Sequence, residues 1–223
     1  MTARDHISSG AYPADRAAAL AGIPRSTLHY WARTGLVVPS ISSSKLKRWS
    51  YADLLLLRLV DWLRQDKSPD LPIAKTSMRR IRQTLAHVED LGGRLTTEGF
   101  EVFVDQGGGL VLGGELGLSV PLARGVAQGR LDTKVDLVRP FETRGLHGPD
   151  LAQPRSSLRI VPGKLSGEPH VEHTRIPTQM LAALAHRGFG PAQIVELYPP
   201  LRIESVEEAL DLERQLERNL HAA

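Results

Sequence analysis

The order of apolar and polar positions divides the chain into stretches of different period. Residues 14–20 are Ala-rich, a composition of strong helix propensity. Gly22 follows, where a helix stops and the backbone turns to positive φ. Pro24 suits the first turn of a second helix, where its missing N–H costs nothing, and Ser26 and Thr27 lie near the same start. Leu28 repeats at helical spacing with Trp31 or Ala32, so these face the first helix, and Arg25, Ser26, His29, Tyr30 and Arg33 fall mainly on the outer side. Gly35 ends the second helix. Residues 36–39 (Leu-Val-Val-Pro) predict a strand, 40–44 a polar loop and 45–49 (Lys-Leu-Lys-Arg-Trp) a returning strand with three cations close to an aromatic ring. Two short helices joined by a Gly turn, a basic extended segment and a further helix make the plan of a winged helix-turn-helix, which puts one helix into the DNA major groove.

The next stretch, 53–64, is apolar nearly all round, and such a helix wants partners on more than one side. Residues 68–72 (Ser-Pro-Asp-Leu-Pro) break it. A second long helix is predicted over 73–91, with Met78, Ile81, Leu85 and Val88 on one stripe that can support a packed helix pair. Arg79, Arg80 and Arg82 lie close together on it and read equally as a DNA-flanking group or a solvated face. Gly92 and Gly93 close the helical region. Phe100, Val102 and Val104 then alternate with polar residues, 106–109 reads as a turn, and 110–112 pairs back. Weaker strands are predicted at 116–122 and 134–138, so 94–142 reads as a small β-meander. The triple Gly at 107–109 lacks the Lys-Ser/Thr end and following helix of a phosphate loop, which leaves a hairpin turn. Residues 143–157 have linker composition. Three helices are predicted in the rear: 178–187, broken at Gly188; 191–197, stopped by Tyr198-Pro199-Pro200-Leu201; and about 204–220.

The expected fold class is mainly α with a small β region: an N-terminal winged helix-turn-helix, a central β-meander and a C-terminal three-helix domain. Its divisions by pattern are 1–92, 93–142, a linker at 143–157, and 158–223.

Composition narrows the chemistry. The 223 residues contain no cysteine, which excludes disulfides, thiolate metal sites and a cysteine nucleophile. No run of about 18 apolar residues predicts a membrane span, and the polar opening carries no signal-peptide pattern. A cytoplasmic location is expected. Residues 1–92 hold 14 Lys+Arg against 8 Asp+Glu, a balance of +6, and 93–223 hold 14 against 17, a balance of −3. A basic front and an acidic rear fit DNA at one end and another partner at the other.

Two stretches resemble known families. Arg33-Thr34-Gly35-Leu36, followed by Arg48-Trp49-Ser50-Tyr51-Ala52-Asp53-Leu54, is similar to the MerR-type DNA-binding domain over roughly 11–64. In that family a helix-turn-helix leads into Gly-Leu and a wing that ends in Arg-x-Tyr/Trp-Ser-x-x-Asp-Leu. Ser50 also makes a sensible N-cap for the next helix, and Asp53 three residues on can assist it. The resemblance implies DNA contact by Arg25, Ser26, Thr27, Tyr30 and Arg33, and phosphate contact by Lys45, Lys47 and Arg48. The alternative is that Tyr30, Trp31 and Trp49 are core aromatics and the cations only solvate a surface.

The second stretch covers about 160–212. Thr174-Arg175-Ile176-Pro177, Tyr198-Pro199-x-Leu201, and Val206, Ala209 and Leu210 resemble a small bacterial domain of unknown function that occurs in VapB-type antitoxins. The Gly that precedes Thr-Arg in that family is His173 here, which costs energy if the turn needs φ > 0. Arg175 is expected to bond carbonyls or a carboxylate inside the domain. His170 and His173 sit three apart with no third ligand nearby, so no metal site is expected.

The last helix sets Val206, Ala209, Leu210, Leu212, Leu216 and Leu220 against an acidic face. It reads as a dimer seam, a toxin-binding segment or a packed helix. Together the two resemblances imply a homodimeric DNA-binding antitoxin, bound to double-stranded operator DNA, that represses its own operon and neutralises a PIN-domain ribonuclease toxin. Leu210, Leu216, Arg214 and Arg218 are the candidate toxin-binding or dimerisation residues. The alternative is a MerR-type regulator that responds to an unknown effector. No paired catalytic motif, nucleophile elbow or P-loop is visible, so neither an enzyme nor a cofactor is expected.

Overall fold

The computed structural model describes residues 10–65, 75–90, 101–104, 110–113, 120–121, 133–143 and 145–221. Among them are seven helices: α1 (Ala14–Ala21), α2 (Arg25–Arg33), α3 (Tyr51–Arg64), α4 (Met78–Asp90), α5 (Thr178–His186), α6 (Pro191–Leu197) and α7 (Ile203–His221). The strands are β1 (Glu101–Val104), β2 (Leu110–Gly113), β3 (Val120–Pro121), β4 (Thr133–Val135), β5 (Phe141–Thr143), β6 (Leu146–Gly148), β7 (Leu158–Arg159) and β8 (His170–Val171). The fold is mainly α with small antiparallel sheets. Its contacts form two units. One is Met1–Leu54 with Val138–Ala223, and the other is Leu55–Leu137.

In the first unit the two ends of the chain share one core. Gly22 ends α1 at φ 71 and ψ 35, and a Cβ there would meet the Gly148 backbone nitrogen at 2.7 Å. Glycine is therefore required twice, for its left-handed conformation and for the approach of β6. Asn219 on α7 is 3% exposed. Its Nδ2 donates to the carbonyls of Ala19 (3.0 Å) and His147 (2.9 Å), and its Oδ1 accepts from the His147 N–H (3.1 Å). One amide thus satisfies backbone groups of both α1 and β6.

Arg16 is buried on α1. Its Nε bonds Glu168 at 2.8 Å, and its two terminal nitrogens form a fork on Glu213 of α7, each at 2.8 Å. Burial pushes the Glu168 carboxyl above its ordinary range, although Arg16 pulls the other way. Tyr12 is fully buried and donates its hydroxyl to the Gly167 carbonyl at 2.8 Å.

Residues 143–157 have a linker's composition but are structured where described. A turn at Gly145 (φ 79) joins β5 to β6, and Leu146 and Leu151 are buried. Two apolar residues set among turn formers were enough to anchor the segment.

The rear helices lie within a residue or two of their predicted bounds. The β7–β8 pair, with Leu158 opposite Val171, leads into a turn that holds His173 at φ 61. The turn needs the left-handed conformation, and a non-glycine residue supplies it. Arg175 does not bond inside the domain as expected: it is exposed. Thr174 ties the turn instead, its hydroxyl donating to the Val171 carbonyl (2.8 Å) and accepting from the Ile176 N–H (3.1 Å).

The second unit contains most of α3, α4 and a four-stranded sheet. Leu57, Leu59, Val60 and Leu63 of α3 are buried, as its apolar circumference required. Arg58 is buried as well and donates to the Leu137 carbonyl at 3.0 Å. Helix α4 begins at Met78 rather than 73. Ser77 caps it, accepting from the Arg80 N–H through its side chain and from the Ile81 N–H through its carbonyl, and that capping preference outweighs the apolar period before it. The strand order is β3-β2-β1-β4, all antiparallel. The fourth strand returns beside the first, which is a Greek-key order rather than the expected meander. The predicted turn at 106–109 and the closing Gly92 and Gly93 lie outside the described residues.

Candidate nucleic-acid interface

Helix α2 is amphipathic in the manner its sequence required. Leu28 and Trp31 are buried, while Arg25, Ser26, Tyr30 and Arg33 are exposed and Thr27 is half-buried. Pro24 precedes the helix as its N-cap, and Gly35 follows it at φ 68. Two contacts order the exposed face. The Arg33 guanidinium lies 5.9 Å from the centre of the Tyr30 ring, a cation–π arrangement. Arg25 Nε lies 2.8 Å from Oδ1 of Asp15 on α1, both side chains about half exposed.

The three aromatics separate cleanly. Trp31 (3% exposed) and Trp49 (0%) belong to the core, and Tyr30 (49%) stands in solvent beside the cations.

The wing is more economical than predicted. Residues 36–39 do not form a strand. The N–H groups of Leu36 and Val37 both turn back to the Trp31 carbonyl, Pro39 has none to give, and the Ser40 N–H goes to the Asp53 carboxylate. With its donors diverted, the segment has no ladder to build. The pairing that remains is two isolated antiparallel bridges, Ser42 with Arg48 and Tyr12 with Trp49. Between them the loop carries Lys45 exposed and Lys47 and Arg48 half-buried.

Asp53 holds this loop at its base. Its Oδ2 accepts from the Ser50 N–H (2.8 Å), the Ser40 N–H (2.9 Å) and the Ser40 hydroxyl (2.8 Å), while Ser50 Oγ accepts from the Asp53 N–H (3.1 Å). The Ser50–Asp53 pair is the capping box expected at the start of α3. The bonds to Ser40 have no signature in the sequence, because nothing in a local pattern links residues 13 positions apart. They make one carboxylate close both the helix and the wing.

The cations of α4 belong to the second unit. Arg79 and Arg82 are exposed there and Arg80 is half-buried.

The rear candidates divide. Leu216 is 2% exposed and packed in the core, so it offers no surface to a partner. Leu210 is half-buried and lines a groove of about 440 Å³ with Ala19 of α1, Ala182 of α5, and Arg214. Arg214 and Arg218 are exposed on the outer side of α7. The apolar stripe that read as a possible dimer seam is therefore largely consumed by the chain's own packing.

His170 is buried, its Nδ1 3.1 Å from the Glu168 carbonyl, and burial lowers its pKa from the ordinary value. His173 points into solvent, so the structure does not bring the two together. Among the described residues no group of three or more His, Asp or Glu is placed to hold a metal ion. Among them, no helix is long and apolar enough to cross a membrane.

Residues 12–69 match the family described as MerR HTH family regulatory protein. Residues 159–212 match a family described as protein of unknown function (DUF433). No curated protein and no solved structure matches the chain. The chain carries a MerR-type helix-turn-helix domain at its N-terminus and a DUF433 domain at its C-terminus.

Proposed function

We propose that this protein is a cytoplasmic transcriptional regulator that binds double-stranded operator DNA as a homodimer, with α2 in the major groove and the loop of 40–49 against phosphates. The observation that carries this reading is the exposed row of Arg25, Ser26, Tyr30 and Arg33 on a helix whose other face is buried. Bases are read by such a helix, and the wing cations add affinity without sequence preference. A dimer doubles the contacted site, which a single domain of this size requires for tight operator binding.

The narrower reading is an antitoxin that represses its own operon and neutralises a PIN-domain ribonuclease. What favours it in the structure is the exposure of Arg214 and Arg218, cations suited to a carboxylate-lined toxin site. The effector-responsive regulator is the other form of the same DNA-binding reading.

The deciding experiment measures binding of the full-length protein to duplex from upstream of its own gene and to a scrambled duplex, over a salt series. Preference for the upstream duplex by about 10³-fold or more is expected of a specific regulator. Equal affinity for both overturns the proposal. Co-expression with the neighbouring reading frame tests the antitoxin form, which requires relief of that gene's toxicity and a stable complex.

A further inference from the structure

The exposed face of α2 contains an acid–base pair whose geometry goes beyond a general affinity for DNA. Arg25 is the first residue of α2, and the N-terminal residues of a recognition helix are those that reach base edges. It is paired across the helix-turn-helix with Asp15 in the first turn of α1, and the pair closes through Nε at 2.8 Å. Neither Nη of Arg25 has a hydrogen-bond partner among the described residues. A guanidinium held at its Nε keeps its Nη edge available, and that edge matches the O6 and N7 acceptors of guanine.

Two features weigh against a merely structural role for the pair. Both side chains are about half exposed, 56% for Arg25 and 50% for Asp15, a setting in which an ion pair contributes little to folding. The helix-turn-helix is also already fixed on its other side by Leu28 and Trp31, both buried. A carboxylate on this face would repel phosphate if it stood alone. Facing Arg25, it restricts a long side chain that otherwise samples many rotamers, and so lowers the ordering cost of a base contact.

The geometry points to Asp15 as a positioning residue that orients Arg25 to read a single guanine in the major groove. The inference rests on the DNA-binding reading above and names what one part of that site recognises. Asp15 itself touches no base; it acts through Arg25.

The test is selection of binding sites from a random duplex library by the full-length protein and by the variants Asp15→Asn, Asp15→Glu and Arg25→Ala. The wild type is expected to enrich sites with a guanine at one position in each half-site. Arg25→Ala should lose the preference at that position alone. Asp15→Asn should reduce the same preference by up to about fivefold, the most that an exposed ion pair supplies toward ordering Arg25. It should leave the other positions intact, with affinity for random duplex unchanged or raised because a negative charge has gone. Asp15→Glu should restore part of the preference. A purely structural role would instead lower the melting temperature and weaken every position together, and that result overturns the inference. An Asp15→Asn profile identical to wild type overturns it while leaving the DNA-binding reading intact. Failure of the wild type to enrich any sequence overturns both.

Discussion

Arg16, in the first helix of the helix-turn-helix, is held at both terminal nitrogens by Glu213 of the last helix. The DNA-binding plan at the front and the DUF433 domain at the rear thus share one buried ion cluster, completed by Glu168. Glu213 also accepts from the Thr178 hydroxyl, which brings α5 into the same cluster. A cluster of this kind is costly to form and more costly to break from one side, because the charges left behind have no water to turn to.

Arg16→Met should therefore destabilise the protein by roughly 3–5 kcal/mol, read from urea unfolding. Combining it with Glu168→Leu and Glu213→Leu should recover most of the loss, since an apolar replacement of the whole cluster leaves no orphaned charge. The deficit of the single variant has a defined sign with pH. Without Arg16 the Glu168 carboxyl keeps the burial that raises its pKa and loses the cation that opposes it. Its protonated form suits the fold, so the deficit should shrink as pH falls toward the ordinary carboxyl value of 4.5 and grow above it. An Arg16→Met protein as stable as wild type at pH 7 would show that the cluster holds nothing together.

Removing the rear half should for the same reason damage the front. A chain ending near 157 loses Glu168, Glu213 and Asn219, and leaves Arg16 without its two carboxylates and the Ala19 carbonyl without the Asn219 amide. The expected outcome is a helix-turn-helix that is unfolded or aggregated, seen as loss of the cooperative melting transition. A truncated protein that melts cooperatively and binds DNA like the full chain would show that the shared core is dispensable.

The sequence made some of this legible and hid the rest for physical reasons. Gly22, Pro24 and Gly35 punctuate the two short helices correctly because each acts on its own backbone. Ser50 and Asp53 announce a capping box because the two partners sit three residues apart. The rear helices were bounded by Gly188, Pro191 and Pro199 in the same local way. Arg16 reads as one more charge in an Ala-rich helix, because its partners lie 152 and 197 positions away. Leu216 reads as a candidate interface residue because the period of an amphipathic helix does not say whether another chain or its own covers the apolar side. In the candidate site, the exposure of Arg25, Tyr30 and Arg33 followed from helical spacing, but the pairing of Arg25 with Asp15 spans the turn between two helices and leaves no local signature.

Asp53 should matter to the wing more than its place in a helix implies. Asp53→Ala removes three accepted bonds at once, two of them from Ser40. A lost capping interaction costs about 1 kcal/mol, and the release of Ser40 adds to it. The measurable signature is a modest fall in melting temperature together with weaker DNA binding, since the loop with Lys45, Lys47 and Arg48 loses its base. Asp53→Asn should restore only part, because its one amide oxygen can take the place of Oδ2 but carries no charge to strengthen the three bonds. A variant that melts lower but binds DNA with unchanged affinity would separate the wing from binding.

His173 holds a left-handed conformation, φ 61, that a glycine would hold without strain. His173→Gly relieves about 1–2 kcal/mol of steric cost and gives back up to about 1 in chain entropy, so a small net stabilisation is expected. His173→Val, with a β-branched side chain at the same φ, should be clearly destabilising. The side chain is 89% exposed, so neither variant disturbs packing. Equal stability of the Gly and Val variants would mean that the turn relaxes out of this conformation.

The wing cations provide the last expectation. Lys45 is exposed, and Lys47 and Arg48 are half-buried on the same loop. If they meet phosphate, each Ala replacement weakens binding to cognate and random duplex by the same factor. Each should also reduce the slope of log affinity against log salt by about 0.9, the counterion released per neutralised phosphate. Arg33→Ala should behave differently, losing about 1–3 kcal/mol mainly on the cognate site if it reads a base edge. Tyr30→Ala removes the ring over which Arg33 lies and should reproduce part of the Arg33 effect without changing the salt slope. Equal losses on cognate and random duplex for Arg33→Ala and the wing variants alike would remove α2 from base reading and leave it a phosphate-binding surface.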